Sequence, residues 1–192
     1  LPLTPLVASQ LSTYKYSIPY EDRVFLWKNK YKVVYRVLNE NKNNRPCLFI
    51  HGFGANRLHF RDNLPVVAEH GYSVYALDLI GFGDSDKVSP DEIVYSLDMW
   101  KDLAVDFTKE MDRMNGFRDS WVLLGNSIGS LICLMAAKEL KDLTASASDG
   151  PVPKVDAIVM YNCAGGLTSF RYSELPWYVG ALLFVVKGLV FN

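Results

Sequence analysis

Histidine is scarce in this sequence, and its placement is one-sided. There are three in 192 residues (His51, His59 and His70), and none follows residue 70. Cysteine is as sparse, with Cys47, Cys133 and Cys163 far apart in apolar surroundings. An odd, scattered count argues against a disulfide framework. It fits inert thiols or a reducing compartment such as the cytosol or a plastid stroma. C-x-x-C pairs and clustered histidines are absent, so no metal site is expected. An excess of either charge is missing too: 20 Lys and Arg face 21 Asp and Glu, a net charge of −1. Basic residues interleaved with acidic ones leave no footprint for nucleic acid.

Long apolar runs are also lacking. The most apolar stretch, residues 177–191 (WYVGALLFVVKGLVF), contains Lys187 and two glycines. It is shorter than the roughly 20 residues a spanning helix needs. It reads as a buried or lid helix, with contact to a membrane surface as the lesser reading. No internal repeat is present, and the Asn-rich residues 39–44 are a surface turn. The first residue is Leu1 rather than Met, which leaves an upstream targeting segment open.

What is present is an apolar half of the chain, 49% of residues, enough for one filled core. Residues 23–27 (RVFLW) and 31–38 (YKVVYRVL) are β-branched and aromatic runs around a polar turn, a strand pair. Residues 47–50 (CLFI) form a short strand buried on both faces, stopped by His51-Gly52. Helical spacing over 58–70 predicts a helix starting at Pro65. A strand at 72–79 and a long amphipathic helix at 95–114 follow. Next come a strand at 121–124, a helix at 128–140 and a strand at 155–160. Strands alternating with helices predict an α/β chain, a mostly parallel sheet with helices on both faces. The expected divisions are an N-terminal extension (1–21), an incomplete core (22–162) and the beginning of a helical cap (163–192).

The decisive motif is Gly125-Asn126-Ser127-Ile128-Gly129, a G-x-S-x-G placed directly between a strand and a helix. A serine on so tight a turn presses the residues two positions either side together, so both must be very small. The turn lifts the Ser127 hydroxyl above the sheet, and the helix start points free N–H groups at developing negative charge. Alone, this pattern recurs by chance; its strand and helix context gives it weight. A second motif, His51-Gly52-Phe53-Gly54, closes an earlier strand. Its loop offers the Phe53 amide, which with that of Ile128 would make a two-donor oxyanion hole. A third stretch, residues 78–86 (DLIGFGDSD), lacks a Walker lysine and the G-x-G-x-x-G spacing. It reads as a tight turn shaping a pocket wall, with Asp78, Asp84 and Asp86 as turn formers.

With these three motifs in this order, residues 22–192 resemble the α/β-hydrolase superfamily. The resemblance implies that Ser127 is the nucleophile and that the amides of Phe53 and Ile128 bind the oxyanion. Gly52, Gly54, Gly125, Asn126 and Gly129 would shape the two loops, with His51 in a structural role. Gly-Asn-Ser and His-Gly-Phe-Gly look like the subgroup of pheophytinase-type plastid hydrolases and carbon–carbon bond hydrolases. Residues 162–166 (NCAGG), followed by an apolar cap, are similar to the former. The elbow residue is Ser, not Asp, so the likeness does not extend to epoxide hydrolases or haloalkane dehalogenases.

The family's triad runs Ser, Asp or Glu, then His along the chain. Here every histidine precedes Ser127, and serine is a weak nucleophile without a base. The chain therefore reads as the N-terminal part of a hydrolase of hydrophobic esters, with its histidine and acid beyond residue 192. A carbon–carbon bond hydrolase, or a non-catalytic relative holding a small apolar ligand, are the alternatives. No cofactor is implied, and nothing marks an oligomeric state. The strand at 155–160 would then be an apolar edge, inviting self-association. Residues 1–192 alone are expected to show no appreciable esterase turnover; robust hydrolysis of a chromogenic ester by this chain would refute the missing base.

Overall fold

In the computed structural model, residues 18–146 and 152–165 are described. The hairpin comes first: β1 (Tyr20–Trp27) and β2 (Tyr31–Leu38) pair antiparallel in register Trp27↔Tyr31 to Tyr20↔Leu38. The strand begins three residues earlier than its apolar run, because Tyr20 to Asp22 still find ladder partners on β2. Lys28 and Asn29 turn the chain with φ of 53° and 55°, the mirror-image turn that suits the twist of a hairpin.

The remaining strands are β3 (Arg45–Ile50), β4 (Tyr72–Leu77), β5 (Trp121–Asn126) and β6 (Val155–Tyr161). They join β1 and β2 in one sheet of order β1-β2-β4-β3-β5-β6. Pairings β4·β3, β3·β5 and β5·β6 are parallel, and β2 meets β4 antiparallel. β3 and β4 are buried on both faces, as continuous apolar runs in parallel sheets should be. β4 ends two residues before its apolar run does, and past its end the Leu79 N–H goes to the His51 ring. β6 is the outer strand among the described residues, with Met160 and Tyr161 exposed.

A 3-10 turn at Arg57–Phe60 precedes the short α1 (Leu64–Glu69), which has Pro65 in its first turn. The helix expected to start at Pro65 begins one residue earlier, at Leu64, and the apolar residues before it form the separate 3-10 turn. α2 (Leu97–Asn115) starts where Ser96 Oγ accepts the Met99 N–H (3.1 Å) and stops where Gly116 turns left-handed at φ 59°. α3 (Ile128–Ala145) runs five residues past its expected end, because no breaker lies in that stretch and Thr144 Oγ1 donates to the Leu140 carbonyl (2.8 Å).

One core cluster packs β1, β2, β4 and β5 against α2 and α3, centred on Phe107. This ring is fully buried and meets Tyr35, Phe25 and Tyr75 edge-on, with centroids 5.0, 5.6 and 5.9 Å away. A second cluster lies on the other face of the sheet, under α1. Cys47 and Cys133 are buried and Cys163 is exposed. Burial pushes the Cys47 thiol up to about 12 and raises Cys133 as well. Among the described residues, no helix is long and apolar enough to cross a membrane, and no group of side chains could hold a metal ion. The apolar stretch 177–191 and most of the expected cap lie outside the described residues. Phe107→Ala should destabilise the fold by about 3–5 kcal/mol, read as a lower urea midpoint at unchanged slope.

Candidate active site

Ser127 stands between the last residue of β5 and the first of α3, with φ 55° and ψ −119°. A residue with a side chain holds such angles only under constraint. The flanking glycines supply it. A Cβ on Gly125 would lie 2.3 Å from the Gly129 carbonyl carbon, and one on Gly129 would lie 2.2 Å from the Ile50 oxygen. The first turn of α3 therefore sits directly on the ends of β3 and β5. Ser130 keeps the next position small, and its Oγ donates to the Gly125 carbonyl (2.8 Å).

Neighbouring strands hold the serine on both sides. Toward β6, the Ser127 N–H donates to the Tyr161 carbonyl (2.9 Å) and the Ala164 N–H to the Ser127 carbonyl (3.4 Å). Toward β3, a Cβ on Gly52 would lie 3.2 Å from the Ser127 Cβ. The half-buried Ser127 hydroxyl makes no hydrogen bond among the described residues. Ile128 opens α3, so its N–H has no acceptor within the helix.

The loop after β3 turns at Gly52 to Ala55, where the Ala55 N–H donates to the Gly52 carbonyl (3.2 Å). Gly54 occupies the left-handed position at φ 72°, as the third residue of such a turn requires. The Phe53 amide donates to no protein group among the described residues. Phe53 is 59% exposed, and its ring leans edge-on against Phe82 of the Gly-rich loop, 5.3 Å between centroids. Phe82 in turn meets His51 and Trp100.

The histidines are otherwise engaged. His51 is fully buried; its Nδ1–H donates to the Gly52 carbonyl (2.7 Å), and its Nε2 accepts the Leu79 N–H (3.0 Å). Burial holds its pKa below the ordinary 6.5, against the opposing pull of the Gly52 carbonyl and Asp78. A second proton on the ring would face the Leu79 N–H, so these bonds favour the neutral ring and brace the loop after β3. His59 Nε2 accepts from Asn126 Nδ2 (2.9 Å), a contact that no sequence spacing announces. His70 Nδ1 bonds the Val66 carbonyl one turn back (2.7 Å).

Asp78 exceeds its expected part as a turn former. Its carboxylate is fully buried and accepts from the Arg57 N–H (2.6 Å), the Arg57 Nη1 and the Asp84 N–H (2.7 Å). Arg57 Nη2 reaches Asp84 (2.8 Å) and Asp22 (3.0 Å). Asp22 also receives a fork from Arg36 at 2.7 and 2.8 Å. The Arg36 bonds, against the effect of burial and with help from Arg57, hold the Asp22 carboxyl down at about 2. Arg57 escaped the sequence reading because a lone arginine in a polar loop gives no signal of the carboxylate it meets.

Known proteins resemble this chain in sequence and fold. The alpha/beta hydrolase fold family matches residues 45–175. The chain belongs to that family. It is similar to Lipase 3 of Moraxella sp. (strain TA144), 33% identical over 133 residues, which are 64% of this chain and 39% of the lipase. It is also similar to the chloroplastic pheophytinase of Arabidopsis thaliana, 26% identical over 140 residues, 58% of this chain and 28% of that protein. The matches thus span well under half the length of these relatives. Among solved structures, 2-hydroxy-6-oxo-6-phenylhexa-2,4-dienoate hydrolase from Rhodococcus sp. strain RHA1 superposes with a TM-score of 0.59 at 20% identity. That match covers 78% of this chain and 48% of the other, a likeness of fold.

The His51 brace has a pH signature. Its folded pKa lies below the unfolded value, so its stabilisation is complete above about pH 6.5 and is lost as pH falls toward the folded pKa. Urea unfolding between about pH 7.5 and about 5.5 should show stability falling by up to ~1.4 kcal/mol per unit, and His51→Gln should flatten that slope.

Proposed function

We propose that this chain forms the nucleophile-bearing part of a serine hydrolase that cleaves hydrophobic esters by acyl transfer through Ser127. The observation that carries this reading is the backbone of Ser127: a constrained positive φ, held by two glycines that admit no side chain, presents an unbonded hydroxyl above the sheet. Strain of this kind persists only where surrounding structure enforces it, and it clusters at reactive positions.

In this reading an imidazole takes the Ser127 proton while Oγ attacks the ester carbonyl carbon. The negative charge that develops on the carbonyl oxygen is received by the amides of Phe53 and Ile128. Collapse breaks the bond to the alcohol, which leaves with the proton. Water then repeats the sequence on the acyl-enzyme and releases the acid. His51 has both nitrogens committed, His70 bonds its own helix and His59 Nε2 is taken by Asn126 Nδ2, so the reading assigns the imidazole to a histidine outside these 192 residues. Exposed Phe53 and its neighbour Phe82 favour an apolar group on the substrate. The lipase and pheophytinase relatives support ester hydrolysis as the reaction class.

A ligand-holding protein without turnover is the second reading, favoured by the absence of a base bonded to Ser127 among the described residues. One experiment separates the two. The complete protein should react covalently with a serine-directed phosphonate at Ser127, mapped by mass spectrometry, and Ser127→Ala should abolish both labelling and ester turnover. Failure of the unsubstituted protein to label would favour the ligand-holding reading.

A further inference from the structure

We propose that Arg57 and Asp78 are positioning residues that set the place of the Phe53 amide, and that the loop after β4 thereby tunes the oxyanion site. This rests on the reading of Ser127 as nucleophile and Phe53 as an oxyanion donor.

The turn carrying that amide is weakly determined by its own sequence. It has glycine on both sides of Phe53, and Gly54 sits at positive φ with no heavy atom within 4 Å of where a Cβ would be. Such a segment has many accessible conformations. An oxyanion donor, however, must stand within tenths of an ångström of its productive place. The placement comes from outside the turn. Upstream, His51 bonds the Leu79 N–H and the Gly52 carbonyl. Downstream, Arg57 engages Asp78 through both its backbone N–H and its guanidinium, and Asp84 and Asp22 through Nη2. Both ends of the turn are thus fastened to one loop, residues 78–86.

That loop is rigid where it matters. A Cβ on Gly83 would lie 2.1 Å from Asp78 Oδ2, and the Asp84 N–H donates to the same oxygen (2.7 Å). Ser85 Oγ ties the Asp78 carbonyl (2.7 Å) to the β2 backbone at the Val34 N–H (2.8 Å). Trp100 Nε1 secures the Ile80 carbonyl (2.9 Å). The ion pair is a poor device for stability alone. Buried pairs often gain little over apolar packing, and this one leaves Arg57 Nε without a partner among the described residues. What it supplies is a fixed direction: a planar guanidinium and a backbone N–H meeting one carboxylate define where the turn ends and the chain runs on into the 3-10 turn.

The test uses the complete protein and compares an ester with its thionoester. Sulfur accepts hydrogen bonds weakly and sits farther from carbon, so thionoester turnover draws little on the oxyanion donors. A displaced Phe53 amide therefore slows the ester more than the thionoester, an asymmetry that a general loss of structure does not produce. In Arg57→Lys, one point charge cannot span three carboxylates. Its ester kcat should fall on the order of tenfold or more, with KM within about twofold and the ester-to-thionoester ratio down about fivefold. Asp84→Ala removes only the exposed arm of the network, a side chain 69% accessible. It keeps the test available should the lysine variant fail to fold, and should lower the ratio about twofold. An unchanged ratio in a folded Arg57→Lys protein overturns the proposal whatever happens to kcat. So does an unchanged ratio in Asp84→Ala if the lysine variant does not fold. Undiminished turnover by Ser127→Ala would instead bring down the underlying reading of the nucleophile.

Discussion

The organisation of this molecule depends on one close approach: the first turn of α3 rests directly on the ends of β3 and β5. Gly125 and Gly129 permit it, because neither position has room for a carbon beyond Cα. The contact does more than pack a helix on a sheet. It leaves the chain only one residue in which to pass from strand to helix, and that residue is forced into a conformation a serine would otherwise avoid. The strain is sustained because parallel strands flank β5 on both sides. β6 delivers the Tyr161 carbonyl to the serine amide, and the loop after β3 presses Gly52 against its side chain. Sheet order thus becomes local chemistry: two strands distant in sequence from β5 hold the serine between them.

A second layer of control is electrostatic. Three carboxylates and two guanidinium groups, from Asp22, Asp78, Asp84, Arg36 and Arg57, join β1, β2, the turn after β3 and the loop after β4. Exposure falls steeply across this group, from the solvent-facing Asp84 to the fully enclosed Asp78. Its outer members are screened by water, and its inner pair is not. Geometry is accordingly dictated from the inside, where a misplaced charge is most unfavourable, while the outer partners neutralise what remains.

How much of this could be read from the sequence follows from the range of each interaction. Strands of β-branched and aromatic residues display themselves in local pattern, and the small residues of the 125–129 turn do so too, although the strand ends that press on that turn lie far away in sequence. The alternation of strands and helices also brought the fold into view, since parallel pairing leaves few topologies. Boundaries moved where a distant partner intervened: β1 reaches back to Tyr20 because β2 has partners to offer, and past the end of β4 the Leu79 N–H goes to the His51 ring and not to a strand. The Arg57–Asp78 pair and the His59–Asn126 contact stayed hidden for the same reason. They join residues 21 and 67 positions apart, and no periodicity records a meeting between loops.

The distribution of thiols has a practical corollary. Two of the three cysteines are enclosed and resist ionisation, while the third, Cys163, is exposed. It lies between Tyr161, which accepts the serine amide, and Ala164, which donates to the serine carbonyl. Alkylating reagents attack the accessible thiolate, so among these three thiols a maleimide dye would attach at this one position without any engineering. An environment-sensitive fluorophore placed there would sit two residues from the backbone that grips Ser127. Changes around the Ser127 turn could then be followed as a change in emission, in a protein whose own sequence already provides the attachment point.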